Sequence, residues 1–350
     1  MKKALSALVV IALVSVAAYL VIRQRSGQPS GGELHIYNWS DYTSPELIKK
    51  FADTYHVKVT VDTYDTNEQM LAKVQAGDSG YDIVVPTDYM VATMIEKGLL
   101  ERIEPDRMEH FANVDPSWVH VYWDDGRHYT APWQWGTTSF SVDGSVYSGD
   151  IDTLGILFNP PKELQGRINM LNDENEVMNA ALRYLGLPRC NGNPDDLKKV
   201  GDLLASARPY WRSISNDTIQ KLTSKDIGVS QTWSGAALRA RLQRPTLRYA
   251  FPREGFPRWM DNVAVLKGAR NIDNAKLFLD FIMAPENAAM ISAYAKYANG
   301  ILGSDQYLPA DLRKASEVHV PAEAPQPEIV PPCPENVIRL YNQIWADFNK

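Results

Sequence analysis

The folded part of the chain opens with three strand patterns, each followed by a helix pattern, and this alternation restricts the possible folds more than any other feature. The predicted strands are residues 34–38, 57–64 and 81–86, and the predicted helices are residues 46–55, 67–76 and 90–97. Strands and helices that alternate in this way predict a doubly wound α/β fold with a largely parallel sheet.

The turn after the first strand carries an indole, a hydroxyl, a carboxylate and a phenol in succession. These four positions are Trp39, Ser40, Asp41 and Tyr42. Ser44 and Pro45 then open a helix, as N-cap and first helical residue. Ligands of open α/β sheets bind beyond the carboxyl ends of the strands, so this turn is a predicted binding element. Thr87 and Tyr89 follow the third strand in the same way. They should lie beside the turn at residues 39–42 if the first and third strands are neighbours.

Residues 1–32 differ in character from the rest of the chain. Lys2 and Lys3 precede an uncharged apolar run over residues 4–22, and a polar Gly- and Ser-rich linker follows. A basic start before an apolar run predicts export from the cytoplasm. Residues 15–17 offer a cleavage site with small side chains, but the run is also long enough to stay as a membrane anchor, so both alternatives are open.

The composition is that of a globular exported protein. The 350 residues are long enough for two lobes with substantial cores, and 45% of them are hydrophobic. The 42 acidic residues exceed the 36 basic ones, which argues against a nucleic-acid partner and is compatible with a cationic ligand. We expect a monomer. Cys190 and Cys333 form either a disulfide or two free thiols, and an exported chain favours the disulfide.

A second lobe is predicted from the middle of the chain. Residues 131–138 are predicted to be an extended crossing with a break at Gly136, and residues 259–265 to be a strand that returns to the first lobe. Further predicted elements are helices at 174–185, 194–207, 272–283, 285–297 and 335–348 and a strand at 227–233. The resulting division assigns residues 33–138 and 261–305 to lobe 1, and residues 139–260 and 306–350 to lobe 2, with hinge crossings between two mixed sheets.

Motifs of common enzymes are absent from the sequence. No G-x-S-x-G, P-loop, G-x-G-x-x-G or H-E-x-x-H motif occurs, and the six histidines lack metal-ligand spacing. We therefore expect no catalysis, no metal site and no cofactor. An enzyme would need an acid–base pair such as Asp173 and Glu176, and nothing else in the sequence supports one.

Aromatic and acidic residues recur instead at predicted loop positions, as an organic amine would require. Carboxylates pair with its ammonium groups, because an unpaired buried charge is costly, and flat rings cover its methylene chain. The spacing of the carboxylates would select the length of the ligand. The residues are Trp39, Asp41, Tyr42, Tyr89, Asp173, Glu176, Trp233, Trp259, Asp261 and Tyr297.

Some of these residues also have a purely structural interpretation. Asp173 could cap the helix that follows it, with Glu176 completing a capping pair, and Tyr297 could only pack late in its helix. Asp261 is harder to explain in this way, because a carboxylate between Trp259 and an apolar strand is an unusual place for a solvated charge.

Seven stretches, in order along the chain, resemble the periplasmic polyamine-binding proteins of ABC importers, the spermidine/putrescine-binding group. The resemblance covers about residue 33 to the C-terminus. The stretches are IYNWSDY (36–42), YDIVVPTDYMV (81–91), WQWGTT (133–138), LNDENEVMNAALRYLG (171–186), WSG (233–235), WMD (259–261) and YAKYANG (294–300).

The resemblance implies a two-lobe periplasmic-binding-protein fold of type II that closes on a linear polyamine in the periplasm and delivers it to an ABC permease in the inner membrane. Asp173 and Glu176 resemble the acidic pair for one amine, and Asp261 the carboxylate for another. Thr87 stands where the family usually has Ser. The remaining matching positions are the first-strand cluster Trp39, Ser40, Asp41 and Tyr42, the ligand wall Tyr89, and the aromatic walls Trp233, Trp259 and Tyr297.

Two departures leave the length of the ligand open. Ala236 stands where some putrescine-binding members have a carboxylate, and Pro334 stands where some spermidine binders have Gln. The missing carboxylate at Ala236 favours a spermidine-like ligand. Two alternatives remain for the function: a polyamine sensor that signals to a membrane receptor, and a binder of another organic cation.

Overall fold

The computed structural model describes residues 31–348, which form a mixed α/β fold. The strands are β1 (Glu33–Trp39), β2 (Lys58–Tyr64), β3 (Ile83–Val84), β4 (Thr130–Asp143), β5 (Ile168–Met170), β6 (Trp211–Ile214), β7 (Val229–Trp233), β8 (Leu247–Tyr249), β9 (Pro257–Val265) and β10 (Glu328–Ile329). The helices are α1 (Pro45–Tyr55), α2 (Asn67–Gln75), α3 (Asp88–Glu96), α4 (Gly155–Phe158), α5 (Glu174–Tyr184), α6 (Pro194–Ala207), α7 (Thr218–Thr223), α8 (Ser234–Gln243), α9 (Ile272–Ile282), α10 (Pro285–Ala295), α11 (Ala310–Arg313) and α12 (Glu335–Phe348). Short 3-10 helices lie at Pro105–Arg107, Glu109–Asn113, Pro116–Trp118, Lys162–Leu164, Arg208–Tyr210 and Ser304–Tyr307.

The strands form one continuous mixed sheet in the order β2-β1-β3-β9-β4-β7-β5-β6, with β8 on β4 and β10 on β9. The strands β1, β2 and β3 pair in parallel, as the alternation of strands and helices predicts. The strand β9 is antiparallel to both β3 and β4, and β4 is antiparallel to β7. The predicted α/β fold is therefore confirmed, but the two mixed sheets that were expected are joined through β4 into one.

Two large hydrophobic cores lie on either side of a crossing in β4. The first core contains side chains of β1, α1, α2, α3, β9, α9 and α10, and the second contains side chains of β5, α5, α6, β7 and α12. The strand β4 pairs with β9 up to Thr137 and with β7 from Thr138 onward, so it passes from one core to the other. The predicted lobe boundaries at residues 138, 260 and 305 stay a prediction.

The crossing differs in one detail from the sequence-based expectation. Gly136 was expected to break the extended segment, but it lies inside the uninterrupted strand β4. Its lack of a side chain instead provides space, because a Cβ atom there would lie 2.8 Å from the indole of Trp259.

Local signals account for the helix that follows the turn after β1. The Ser44 hydroxyl accepts a hydrogen bond from the backbone N–H of Leu47 at 3.2 Å, and Pro45 occupies the first helical position. Leu47 and Phe51 are buried against the sheet. His56 then ends the helix in the left-handed conformation, with its N–H bonded to the Ala52 carbonyl. The predicted N-cap is thus confirmed.

The C-terminal segment is fastened to the second core. Cys190 and Cys333 are joined by a disulfide, which is one of the two states that the sequence left open. The helix α12 then buries Val337 and Tyr341 in the second core. Within residues 31–348, no helix is both long enough and apolar enough to cross a membrane. The predicted export or anchor segment at residues 4–22 lies outside the described residues.

Candidate ligand-binding cleft

A cleft of about 900 Å³ opens between the two cores at the carboxyl ends of the strands. The cleft brings together every residue that the sequence analysis named as a candidate. These residues are Trp39, Ser40, Asp41, Tyr42, Thr87, Tyr89, Asp173, Glu176, Trp233, Trp259, Asp261 and Tyr297.

Two turns of the first core form one wall of the cleft. They follow β1 and β3, which are paired in parallel, so the turns lie side by side. Trp39 is oriented by its indole N–H, which donates to the Val85 carbonyl at 2.9 Å, and its ring packs on Tyr64 at 4.7 Å between centroids. Asp41 is exposed and adopts the left-handed conformation, with φ of 55°, where the chain turns away from the sheet.

Asp261 lies at the floor of the cleft on β9 and is only 4% exposed. The Thr87 hydroxyl donates to its Oδ1 at 2.7 Å, although Thr87 stands at the N-cap position of α3 and could have capped that helix. Asn67 in turn donates to the Thr87 hydroxyl at 3.1 Å and to the Tyr89 hydroxyl at 2.9 Å. Burial raises the pKa of Asp261 to about 7, and the hydrogen bond from Thr87 opposes this shift.

Asp173 and Glu176 begin α5 on the opposite wall. Asp173 caps the helix, since its carboxylate accepts a hydrogen bond from the backbone N–H of Glu176 at 3.1 Å. Glu176 does not return the bond: its Oε1 accepts from the Thr138 hydroxyl at 2.7 Å. The alternative interpretation as helix-capping residues is therefore confirmed for Asp173 and wrong for Glu176. Burial raises the pKa of both carboxyl groups, and the charge of Asp173 raises that of Glu176 further.

Aromatic rings connect the two acidic regions. The Trp259 indole N–H donates to the Thr138 hydroxyl at 3.0 Å, and the Trp259 ring packs edge-on against Tyr297 at 5.4 Å. Tyr297 in turn packs edge-on against Tyr42 at 5.5 Å. Tyr297 is not part of a helix, contrary to the prediction. The helix α10 ends at Ala295, and Lys296 with φ of 67° turns the chain so that Tyr297 joins the wall.

Two aromatic rings of the cleft pack against glycine residues, which leave the space that the rings occupy. A Cβ atom on Gly235 would lie 2.6 Å from three atoms of the Tyr297 ring, and a Cβ atom on Gly136 would lie 2.8 Å from Trp259. Neither glycine has positive φ, so the space and not the backbone conformation requires glycine there. This gives a physical reason for the glycines in the stretches WQWGTT and WSG.

The sequence analysis missed part of the second wall. The strand β6 pairs in parallel with β5, so the polar turn after it lies beside Asn172 and Asp173. The signal was present as a run of Ser, Asn, Asp and Thr after residues 211–214, a strand that was not predicted. The missed lining residues include Asn67, Asp88, Asn172, Asn175, Ser215, Asn216, Asp217, Thr218, Arg239 and Arg258.

The two departures from the family pattern have different places in the structure. Ala236 lines the cleft, so the missing carboxylate leaves an apolar patch on this wall. Pro334 is exposed and does not line the cleft. The C-terminal segment contributes Val330 to the lining instead.

The electrostatic character of the site follows from these carboxylates. Within residues 31–348, Asp173, Glu176 and Asp261 form no ion pair, although burial disfavours their charged forms. A ligand that supplies positive charge would compensate this cost, and the adjacent rings can cover an apolar chain. The arrangement is thus suited to an organic cation.

Residues 46–320 match a protein family described as bacterial extracellular solute-binding proteins. The chain belongs to this family. It is 30% identical to a putrescine-binding periplasmic protein of Pseudomonas aeruginosa, a match that covers 89% of this chain and 90% of the relative. It is 27% identical to a spermidine/putrescine-binding periplasmic protein of Escherichia coli, with coverage of 83% and 84%. The predicted resemblance is therefore confirmed.

Solved structures agree with this assignment. A putative spermidine/putrescine ABC transporter protein of Listeria monocytogenes superposes with a TM-score of 0.84 at 31% identity and covers 91% of this chain and 98% of its own. The substrate-binding protein PotD of a Streptococcus pneumoniae spermidine/putrescine ABC transporter has a TM-score of 0.78 at 26% identity, with the same coverage. The predicted two-lobe, type II architecture is confirmed. The family comprises solute-binding proteins and not enzymes, as the sequence analysis expected.

Proposed function

We propose that this solute-binding protein captures a linear polyamine of the spermidine or putrescine class in its cleft. One observation carries the proposal: three carboxylates, of Asp173, Glu176 and Asp261, line one aromatic cleft and form no ion pair within the described part of the chain. The names of the relatives support the same ligand class.

A polyamine matches this cleft in charge and in shape. One ammonium group would pair with Asp261, whose other hydrogen-bond partner is the Thr87 hydroxyl. A second would pair with Asp173 and Glu176 at the start of α5. The methylene chain between them would lie against Trp259 and its neighbouring rings, and each ring close to an ammonium adds about 0.5–2 kcal/mol of cation–π attraction.

The apolar patch at Ala236 bears on the length of the ligand. An ammonium placed there would lack a carboxylate, and Arg239 lies on the same wall. Both features disfavour a short diamine that needs a charge at this position. We therefore propose a spermidine-like ligand as the preferred one.

The proposed role is transport. Binding to both walls would shift an open–closed equilibrium, and the closed form would deliver the polyamine to an ABC permease in the inner membrane. We also propose that the protein is a periplasmic monomer that residues 4–22 direct out of the cytoplasm. Edman sequencing of the mature protein would decide whether this segment is removed or retained as an anchor.

Calorimetric titration of the purified protein with putrescine, cadaverine, spermidine and spermine tests the proposal. We expect saturable one-to-one binding to one or two of these amines, with spermidine preferred over putrescine. Preference for putrescine would refute the argument from Ala236, but the ligand would still be a polyamine. Absence of binding to all four amines would refute the polyamine and favour another organic cation.

A further inference from the structure

Three potential metal ligands converge on the first lobe, away from the cleft. Glu104, Asp106 and His128 each offer one ligand atom, and these atoms lie within 4.8 Å of one another. None of the three residues lines the cleft or belongs to the proposed polyamine site.

The distances in this cluster are compatible with ligation of a single metal ion. Nδ1 of His128 lies 3.0 Å from Oε2 of Glu104 and 3.4 Å from Oδ1 of Asp106. Zinc bonds of about 2.1 Å at the tetrahedral angle hold neighbouring ligand atoms roughly 3.4 Å apart. The two distances from the imidazole nitrogen to the carboxylate oxygens are therefore close to this spacing, and the three ligand atoms all lie within 4.8 Å of one another.

An independent observation concerns Asp106. Its Oδ1 atom is inaccessible to solvent and has no hydrogen-bond donor among residues 31–348. The single proton that Nδ1 of His128 can carry is directed to Glu104 at hydrogen-bond distance, so it does not satisfy Asp106 as well. A buried carboxylate oxygen without a donor is costly, and a cation between the three ligand atoms would remove that cost.

The surroundings hold the ligands in place. The second oxygen of Glu104, Oε1, accepts from the Arg102 guanidinium at 2.6 Å, which fixes the carboxylate and leaves Oε2 for the cluster. The backbone N–H of Glu104 also donates to the His128 carbonyl at 3.0 Å, so the two segments are joined directly beside the site. Outer partners of this kind commonly orient the ligands of metal sites.

We propose that Glu104, Asp106 and His128 form a site for a divalent transition-metal ion, with zinc as the expected occupant. One imidazole and two carboxylates suit zinc, whereas calcium and magnesium prefer all-oxygen sites with more ligands. Three protein ligands leave a coordination position for water. The ion would link the segment that follows α3 to the segment that leads into β4, and would stabilise the first lobe without entering the polyamine cleft.

Equilibrium dialysis of the untagged full-length protein against zinc chloride at pH 7 tests the site. We expect one zinc ion per chain and a rise in the thermal midpoint with zinc. His128→Asn and Asp106→Asn should each weaken zinc binding at least about ten-fold. The matched control is His120→Asn, which removes a histidine of an exposed pair, with Nδ1 2.7 Å from Asp125, and should leave zinc binding unchanged.

Each other outcome contradicts the proposal. Absence of zinc uptake would identify the cluster as an ion-pair network, and unchanged uptake in His128→Asn would place the zinc elsewhere. Equally tight uptake of calcium or magnesium would show that the metal class is wrong. Polyamine calorimetry on every variant checks that the protein is folded, because the cluster lies outside the cleft and polyamine binding should not change.

Discussion

Asp261 shows how a single residue can be prepared for a cationic ligand. Its carboxylate is buried, yet its hydrogen bond from Thr87 is neutral, and Asn67 fixes that hydroxyl in turn. A neutral donor stabilises the charged carboxylate less than an ammonium does, so the pKa of Asp261 remains raised, at about 7. The residue is therefore poised to lose its proton when a cation arrives.

The raised pKa predicts opposite effects of pH on the ligand-free protein and on binding. Between the ordinary carboxyl pKa and about 7, the folded protein holds a proton at Asp261 that the unfolded chain has lost. Through this group, the free energy of unfolding therefore decreases as pH rises from 4 to 7 and levels off above 7. Polyamine affinity should increase over the upper part of the same range, because the amines stay protonated while the carboxylate ionises.

Asp261→Asn isolates this effect from the other titrating groups. In urea unfolding, the free energy of unfolding of the variant should decrease less between pH 5 and 8 than that of the parent. At pH 8 it should bind the polyamine about 2–5 kcal/mol more weakly, a loss of roughly thirty-fold or more by calorimetry. Asp78→Asn, at an exposed residue paired with Arg270, is the control. Identical pH profiles in parent and variant would contradict the assignment.

At the scale of elements, α8 contributes to the wall of the cleft because its second residue, Gly235, has no side chain. The helix begins with Ser234 and Gly235, and the Gly235 backbone lies directly against the Tyr297 ring. Tyr297 has few alternative positions, because Tyr42 and Trp259 pack on its other sides. A larger residue at position 235 must therefore displace the ring.

Gly235→Ala is predicted to weaken both stability and polyamine binding. The added methyl group overpacks the wall, which costs about 1–3 kcal/mol in the free energy of unfolding, and shifts Tyr297 in the site. Gly201→Ala is the matched control, because Gly201 is also helical, in α6, and has no atom within 4 Å of its added Cβ. That change should raise stability by up to about 1 kcal/mol and leave binding unaltered. Urea unfolding and calorimetry measure both effects, and equal behaviour of the two variants would contradict the proposed packing role.

Elements with local signals were predictable from the sequence. The bounds of α6 and α12 agree with the predicted ones, and α1 and α5 agree within one residue. Amphipathic patterns define all four helices, and side-chain N-caps also mark α1, α5 and α6. The helix α8 was missed since six of its first seven residues are buried and its N-cap makes no side-chain bond, so neither an amphipathic pattern nor a cap marks its beginning. The strand β6 was missed because its four residues are too few to establish a period.

The sequence predicted which of these residues line the cleft, but it did not predict their contacts. Position after a strand identified the turn at residues 39–42 and Thr87, since strand ends meet at one edge of a sheet. The partners depend on packing between distant segments: Glu176 accepts from Thr138, and Thr87 donates to Asp261. No local pattern encodes such pairs, and for this reason the local alternative for Glu176, a capping pair with Asp173, does not describe its contact.

At the scale of the whole molecule, the two cores share few covalent connections, and the cleft lies between them. The strand β4 carries the chain from one core to the other, and β9 pairs with it near the crossing. At the cleft, the Arg239 guanidinium of α8 donates to the Asp41 carbonyl at 3.4 Å, and the Gly235 backbone of the same helix packs on the Tyr297 ring. A ligand held by both walls would add its own contacts to these and so favour the closed form.

This arrangement predicts that a polyamine compacts the molecule. A ligand that holds Asp261 of the first lobe and Asp173 and Glu176 of the second gains its full binding energy only when the walls approach each other. We expect a smaller radius of gyration with saturating spermidine than without it, measured by small-angle X-ray scattering. Glu176→Gln keeps the shape of the side chain and removes its charge, so it should require more ligand for the same compaction. Calorimetric binding without any change in the radius would mean that the ligand is held by one lobe alone, and the proposed transport cycle by closure would then be wrong.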